Sequence, residues 1–210
     1  MSESRRNAAA VIATDTMASS FSMPASKLLK PSATVYVIGN VKEAHLAKAT
    51  AAFCKWEIIC DEKNWLPDNG EPSGQTWTSH TSRPGNKCVW RHPFDLEFRC
   101  KSVKDAPKFY VEIYNSSNTS TIDFYGYGVV HLPITNSGKY EISIPIFRPS
   151  GSTYDWLSSL LFGGNIRYKN PKQMLLETNS AIAHNKTVSC GNVILEVNIL
   201  RTGFPNYVDC

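Results

Sequence analysis

The sequence has no long apolar run. No stretch approaches the roughly 18 residues that a membrane-spanning helix requires, and no continuous apolar segment near the N-terminus resembles the core of a secretory signal. We therefore exclude integral membrane insertion and expect a reducing compartment, in which disulfides are rare. The cysteines are then interpreted as small buried hydrophobic residues, and they are Cys54, Cys60, Cys88, Cys100, Cys190 and Cys210.

Patterns that hold metal ions are also missing. No Cys-x-x-Cys pair occurs, which argues against a structural zinc site. No Asp-x-Asp pair occurs either, and the acidic residues are too scattered for a calcium loop, which needs several clustered oxygens. We predict a protein that binds no metal ion and no other cofactor.

Charge and catalytic motifs exclude further classes of protein. The formal net charge of +4 suits an acidic lipid or protein surface, but no run of five like charges forms the footprint of a nucleic-acid-binding protein. The five histidines are scattered, and neither a Gly-x-Ser-x-Gly elbow nor a complete phosphate-binding loop occurs. We predict a protein that has no catalytic residues and does not bind nucleic acid.

The sequence does contain a series of β-strand patterns, of which the stretch from Trp90 to Phe98 is the clearest. Apolar and charged residues alternate there, with Phe94, Leu96 and Phe98 set against Asp95, Glu97 and Arg99. A period of two residues places the apolar side chains on a buried face and the charges in water. Pro93 cannot donate a hydrogen bond to a sheet ladder, so we expect it at a strand start or on an edge.

Other strand patterns follow the same logic and are separated by turn residues. We predict strands at Val35–Val41, Phe53–Ile59, Thr76–Ser79, Lys108–Tyr114, Ile122–Ile134, Lys139–Ile146 and Val193–Leu200. Asn136-Ser137-Gly138 predicts that the two strands on either side of it form a hairpin. The segments Asp61–Gly74 and Asn165–Asn192 are predicted to be a polar connection and a loop-rich excursion.

One segment breaks the strand rhythm. Leucines at helical spacing between Ser152 and Phe162, followed by Gly163-Gly164, predict a short helix. The fold class is therefore all-β, an antiparallel β-sandwich of seven to eight strands with a short inserted helix. We assign the domain to residues 34–210, and we interpret residues 1–33, rich in Ala, Ser and Met, as a disordered extension, with a targeting presequence as the alternative.

The aromatic residues leave two interpretations open. If alternation holds, they cannot all face the core, and the set comprises Trp65, Trp77, Trp90, Tyr110, Tyr114, Tyr125 and Tyr127. Exposed aromatic side chains are typical anchors of protein interfaces. In the other interpretation, long loops and the inserted helix cover them.

Several short motifs occur in a fixed order from about Val35 to the last residue. They are Phe53-Cys54-Lys55-Trp56, His92-Pro93 with Asp95, Leu96 and Phe98, Gly126-Tyr127-Gly128, Arg148-Pro149 with Gly151 and Ser152, Gly163-Gly164, and Val208-Asp209-Cys210. Each motif alone is weak, but the ordered set is specific, and in order and spacing it resembles the B9 domain family. We expect these signature residues to have structural or interface roles.

The resemblance implies a C2-like sandwich without enzymatic activity. It also implies a scaffold subunit of the transition-zone complex, which supports cilium assembly and gates the entry of ciliary membrane proteins. The implied partners are other B9-domain proteins, members of the Meckel syndrome complex and γ-tubulin, and the implied location is the cytoplasm and cytoskeleton at the basal body and transition zone. The alternative function is a calcium-independent module that binds acidic lipid peripherally, through basic loops such as Lys101 to Lys108.

The strand interpretation of the stretch around Phe98 leads to a first prediction. Burial of a side chain of this size contributes about 1.5 to 3 kcal/mol, and a carboxylate in its place would be buried without a partner. We expect Phe98→Asp to unfold the domain, as measured by its thermal transition. A variant with an unchanged melting transition would contradict the strand assignment.

Overall fold

The structure, a computed structural model, describes residues 33–81, 87–116, 122–150, 167–172 and 186–204. Within these residues the chain forms ten β-strands, which pair antiparallel. They are β1 (Ala33–Leu46), β2 (Ala51–Ile59), β3 (Trp65–Asn69), β4 (Ser73–Gln75), β5 (Ser79–His80), β6 (Lys87–Cys100), β7 (Lys108–Ser116), β8 (Ile122–His131), β9 (Gly138–Pro149) and β10 (Thr187–Thr202).

The strands form one curled sheet that folds back on itself. Their order is β3-β6-β1-β10-β9-β8-β7-β2-β4, and β5 also pairs with β2. Strands β8 and β9 share a single registered pair, Tyr127 with Phe147, so the sheet turns at this line. The two halves then face each other, and the rings of Trp56 on β2 and Phe94 on β6 lie 5.2 Å apart. The prediction of an all-β antiparallel sandwich is confirmed.

The core between the two halves is built from the inward residues of each strand. Trp56 stacks on Phe109 at 5.6 Å and also contacts Phe94, so three aromatic rings from β2, β6 and β7 meet at the centre. The indole nitrogen of Trp90 donates a hydrogen bond of 2.9 Å to the carbonyl of Ala52, which joins β6 to β2. This contact satisfies the one polar atom of a buried Trp and fixes the two halves relative to each other.

The motif Gly126-Tyr127-Gly128 lies at the fold line between β8 and β9. A Cβ atom added to Gly126 would lie 2.7 Å from Ile146 Cγ2 and 2.9 Å from the carbonyl oxygen of Phe147. A Cβ atom at Gly128 would lie 2.7 Å from Ile146 Cδ1. Because neither glycine has a side chain, β9 can lie close to β8 at these two positions. A glycine inside a strand often marks such a close approach of another backbone.

Several strand predictions are wrong in detail. The number of strands exceeds seven to eight because β3 lies within Asp61–Gly74, predicted as a connection, and β4 begins there and ends at Gln75. Strand β10 begins at Thr187 rather than at Val193. Backbone pairing with β6, β2 and β9 overrides the local turn residues in these segments. The hairpin predicted around Asn136-Ser137-Gly138 is confirmed in part, because β8 and β9 are consecutive and pair antiparallel, but they share only the one registered pair at the fold line. The predicted helix from Ser152 to Phe162 lies outside the described residues.

The strand predicted at Thr76–Ser79 is replaced by two short strands, β4 and β5, which flank its first residues. The side chain of Thr76 explains the interruption. Its hydroxyl accepts a hydrogen bond of 3.0 Å from the backbone nitrogen of Cys54 and donates one of 2.9 Å to the carbonyl of Trp77. A side chain thus replaces the backbone acceptor for the Cys54 N–H and interrupts the regular ladder, while the Thr76 backbone nitrogen still donates to the Cys54 carbonyl at 2.9 Å.

Pro93 lies in the middle of β6 rather than at its start. Strand β3 pairs with β6 between Glu97 and Cys100, so within the described residues Pro93 is in the half of β6 that pairs on one side alone. The edge position that we predicted for Pro93 is therefore correct. A bulge precedes it, where Arg91 adopts a left-handed φ of 47° and the register against β1 shifts.

The close approach of β8 and β9 generates a prediction. Replacing Gly126 by Ala forces a methyl group against the Phe147 carbonyl, so we expect Gly126→Ala to lower the free energy of unfolding by about 1 to 3 kcal/mol in urea denaturation. Gly138→Ala is the matched control, because its new Cβ would find no atom closer than 3.7 Å. Equal stability of the two variants would contradict the role assigned to the fold line.

Candidate interaction surface

The signature segment Phe53-Cys54-Lys55-Trp56 lies on β2, and its side chains alternate between the two faces of the sheet. Cys54 and Trp56 point into the core, and burial raises the pKa of the Cys54 thiol. Phe53 points outward and stacks on Tyr114 at 5.2 Å, and the Lys55 ammonium lies 5.1 Å from the centre of the same ring. The side chains of this motif therefore contribute to two aromatic layers, one on each face of β2.

The second aromatic layer covers the outer face of β2, β7 and β8. Its members are buried side chains in mutual ring contact, namely Phe53, Tyr110, Tyr114, Phe124 and Tyr127. Glu112 lies among them and accepts hydrogen bonds of 2.7 Å from the hydroxyls of Tyr110 and Tyr114, one to each carboxylate oxygen. Burial, together with these hydrogen bonds, raises the pKa of Tyr114 to about 12.

Residues 167–172, which we call the covering segment, lie over this outer layer. The Arg167 guanidinium carbon is 5.3 Å from the ring centre of Tyr114 and 4.8 Å from that of Phe124. Tyr168 stacks on Tyr127 at 6.0 Å. Lys172 forms an ion pair with Glu57 on β2. Cation–π contacts and stacking thus hold this segment against the sheet.

A cleft of about 370 Å³ lies beside the covering segment, at the edge formed by β2 and β4. Its walls carry Lys55, Glu57, Tyr110, Glu112 and Lys172, together with the backbone of β4. These groups are engaged with each other, since Lys172 pairs with Glu57 and both oxygens of Glu112 accept tyrosine hydroxyls. The arrangement stabilises the outer face through internal pairing.

The second signature segment, on β6, divides its side chains between core and solvent. Leu96 and Phe98 are buried, and Phe98 meets Trp65 edge to face at 6.5 Å. Asp95 is exposed on the outer face. The ring of His92 lies 6.1 Å from the ring of Trp56, and partial burial lowers the pKa of the imidazole. His92 is thus a packing residue against the central Trp.

Arg148, from a third signature segment, borders a cleft of about 240 Å³ at the opposite end of the sheet. The Tyr125 hydroxyl anchors this end, because it accepts a hydrogen bond of 3.1 Å from the Lys48 backbone nitrogen and donates one of 3.3 Å to the Cys190 carbonyl. Pro149 follows at the end of β9, in register with Thr187. Arg148 is part of the wall where β1, β8, β9 and β10 meet.

Several signature positions lie outside the described residues, namely Gly151, Ser152, Gly163, Gly164 and the terminal Val208-Asp209-Cys210. Over the described ranges, no three side chains of His, Cys, Asp or Glu are grouped to hold a metal ion. No helix in the same ranges has the length and apolar character needed to cross a membrane. The five described cysteines have free thiols.

The interpretation of the aromatic residues as an exposed set is wrong for six of the seven positions. Only Trp77 is exposed, at 69% of its surface. Trp65 and Trp90 belong to the core, and the covering segment shields the tyrosines on the outer face of β7 and β8. The covering segment buries these tyrosines, which agrees with the second interpretation, in which long loops cover the aromatic residues.

The structure also shows a group of outward-facing apolar residues that was not predicted from the sequence. Tyr36 and Ile38 on β1 and Leu200 on β10 share the outer face of the other half of the sheet, and 43% of Ile38 and 45% of Leu200 are exposed. The signal was present, because alternation with the buried Val35 and Val37 turns these β1 residues outward.

Comparisons with known proteins identify a family and several relatives. The family model described as "B9-C2: Ciliary basal body-associated, B9 protein" matches residues 35–200. B9 domain-containing protein 2 of Danio rerio is 28% identical over 175 residues, which cover 83% of this chain and 97% of that protein. B9 domain-containing protein 2 of Drosophila melanogaster is 27% identical over 177 residues, with coverage of 83% and 97%. B9 domain-containing protein 1 of Xenopus laevis is 24% identical over 163 residues, with coverage of 77% and 81%.

Among solved structures, a C2 domain of plant extended synaptotagmin 1 aligns with a TM-score of 0.43 at 14% identity, covering 84% of this chain and 98% of that one. The family model is the decisive match, because it spans most of the chain and all but the ends of the described sheet. The chain therefore belongs to the B9 domain family of ciliary basal body-associated proteins.

Proposed function

We propose that the protein is a non-enzymatic scaffold subunit of the ciliary transition-zone complex, which contains B9-domain and Meckel syndrome proteins. In this role it binds other B9-domain proteins and contributes to cilium assembly and to the gating of ciliary membrane proteins. Its location is the cytoplasm and cytoskeleton at the basal body and transition zone, with γ-tubulin as a further partner. The observation that carries the proposal is the family match over residues 35–200.

The geometry supports a scaffold because the signature residues build the sandwich rather than a reaction centre. Trp56, His92 and Phe98 pack in or against the core, and Gly126 and Gly128 allow the sheet to fold. Side chains fill the space between the two halves of the sheet. A rigid sandwich of this kind acts through the surfaces that it presents to other molecules.

The occurrence of several types of B9-domain protein supports partners of the same family. The relatives of this chain include B9 domain-containing proteins 1 and 2, which share its domain at 24% to 28% identity. Domains of similar shape and different surface chemistry can assemble into a heteromeric complex with defined neighbours. We therefore expect this chain to bind one or two other B9-domain proteins directly.

Co-purification tests the proposal. The full chain is expressed together with each of the other B9-domain proteins from the same organism, and the lysate is fractionated by affinity and size-exclusion chromatography. We expect a stable complex with at least one of them, and we expect the tagged chain to locate to the base of the cilium in ciliated cells. A chain that elutes alone in every combination and is diffuse in these cells would contradict the proposal.

A second candidate function has one specific observation in its favour. The loop between β6 and β7 presents exposed Lys101, Val103 and Lys104, and 42% of the Val103 surface is accessible. An apolar tip flanked by lysines is suited to peripheral contact with an anionic bilayer. This supports the alternative of calcium-independent binding to acidic lipid.

Vesicle sedimentation tests this second function. If it holds, the chain sediments with phosphatidylserine vesicles in the presence of EGTA, and Lys101→Glu/Lys104→Glu reduces the bound fraction severalfold, because each nearby lysine contributes about 1 kcal/mol. Lys48→Glu/Lys186→Glu is the matched control, since it makes the same change of charge at two exposed lysines, one after the end of β1 and one before the start of β10. A chain that stays in the supernatant with anionic vesicles rejects the alternative.

A further inference from the structure

In the described part of the chain, the strands at the two ends of the sheet and the open half of β6 offer little for a partner strand to pair with. Strand β3, at one end of the sheet order, contains Pro67, which cannot donate to a ladder. Strand β4, at the other end, is three residues long. The open half of β6 carries Pro93 and the left-handed Arg91. These features protect edges against pairing with another chain, so a partner is expected to bind a face.

The outer faces of the two halves differ in how they are covered. The outer face of β2, β7 and β8 contacts the covering segment through Arg167, Tyr168 and Lys172. The outer face of β6, β1 and β10 leaves nearly half of Ile38 and Leu200 accessible. We call the latter the β1 face, defined by Tyr36, Ile38 and Leu200 with the outward residues that surround them.

The apolar residues of the β1 face are contiguous. Tyr36 is directly opposite Leu200 in the pairing of β1 with β10, and Ile38 is two residues along from Tyr36 on the same face. Neighbours of this kind lie within about 8 Å of each other. Single exposed apolar residues are ordinary on a protein surface, whereas an adjacent group framed by polar residues is typical of an interaction site.

Carboxylates predominate around this group. Asp95 is opposite Ile38, and Glu97 is opposite Tyr36 and raises the pKa of its hydroxyl. Neither of these acids forms a direct ion pair within the described part of the chain, whereas Lys42 already pairs with Glu196 at 2.8 Å. Charged residues on the described strands of this face and in contact with them are Asp68, Asp95, Glu97, Glu141 and Glu196, together with Lys42, Arg99 and Lys139.

The acidic rim determines the chemistry of the partner. The chain as a whole has a net charge of +4, so the excess of acid on this face is local. Asp95 and Glu97 would repel an anionic membrane or a nucleic acid and would attract lysine and arginine side chains. A complementary surface is therefore apolar at its centre and basic at its rim.

We propose that the β1 face is the docking surface for a second B9-domain protein, which presents an apolar patch with a basic rim. This inference rests on the proposed function, because it assigns the face through which the scaffold binds a family member. Ile38 and Leu200 are the apolar anchors, and Asp95 and Glu97 orient the partner.

Substitution of the apolar anchors tests the proposal. Ile38→Thr/Leu200→Thr removes the apolar contact and keeps residues that are accepted in strands. We expect this variant to bind the co-purified B9-domain protein at least tenfold more weakly in titration calorimetry, since buried anchors dominate interface affinity. Ile122→Thr/Val188→Thr is the matched control, because both targets are exposed apolar residues away from the β1 face, Ile122 at the start of β8 and Val188 near the start of β10. The control is expected to bind like the wild type.

Charge reversal provides the second arm. Asp95→Lys/Glu97→Lys is expected to slow association and to reduce the salt dependence of binding, because the two acids attract the basic rim. Thermal unfolding of every variant establishes that the fold is retained, so that loss of binding is not loss of structure.

The outcomes separate this inference from the proposed function. If the wild type binds a B9-domain protein and the β1 variants bind it as tightly as the control does, the docking surface is wrong and the scaffold function stands. If β1 variants dissociate a homodimer, or release the chain from anionic vesicles, the assigned partner is wrong. If the wild type binds no B9-domain protein, the proposed function fails, and the docking proposal fails with it.

Discussion

The packing of Trp56 against Phe94 and Phe109 is the interaction on which the rest of the structure depends. These rings come from both halves of the sheet, so their contact closes one folded sheet into a sandwich. The closure requires a sharp turn between β8 and β9, where Gly126 leaves room for the backbone of β9. Once the halves face each other, every outward residue is committed to one of two outer faces. The positions of the surfaces thus follow from the core.

The two outer faces have different physical roles. On β7 and β8, tyrosines surround Glu112 and donate hydrogen bonds to it, and residues 167–172 lie over them. The polar and aromatic groups of this face therefore have their partners within the chain. On β1 and β10, Tyr36 and Leu200 have no such cover among the described residues, and the nearby Asp95 has no ion-pair partner there either. An internally satisfied face stabilises the domain, whereas an exposed apolar face with a charged rim is available to another molecule.

Much of the sandwich could be predicted from alternation, but apart from the neighbouring strands β8 and β9 the strand pairing could not. The pattern of Phe94, Leu96 and Phe98 correctly gave a half-buried strand, because its period is local. Strand β3 was missed because Pro67 and its polar neighbours indicate a turn, and only pairing with β6 makes this segment a strand. For Tyr110 the sequence left exposure and burial both open, because the Lys172 that covers its ring comes from a segment distant in the sequence. The motifs identified the family correctly, whereas the exposure of Ile38 required the structure.

The central claim is that the β1 face is covered when the protein is assembled with another B9-domain protein. Hydroxyl-radical footprinting, read by mass spectrometry on the free chain and on the purified complex, measures side-chain accessibility on this face directly. The account predicts that oxidation of Tyr36, Ile38 and Leu200 falls in the complex, while oxidation of the exposed Ile122 is unchanged. Unchanged oxidation of the β1 face in a complex that protects residues elsewhere would contradict it.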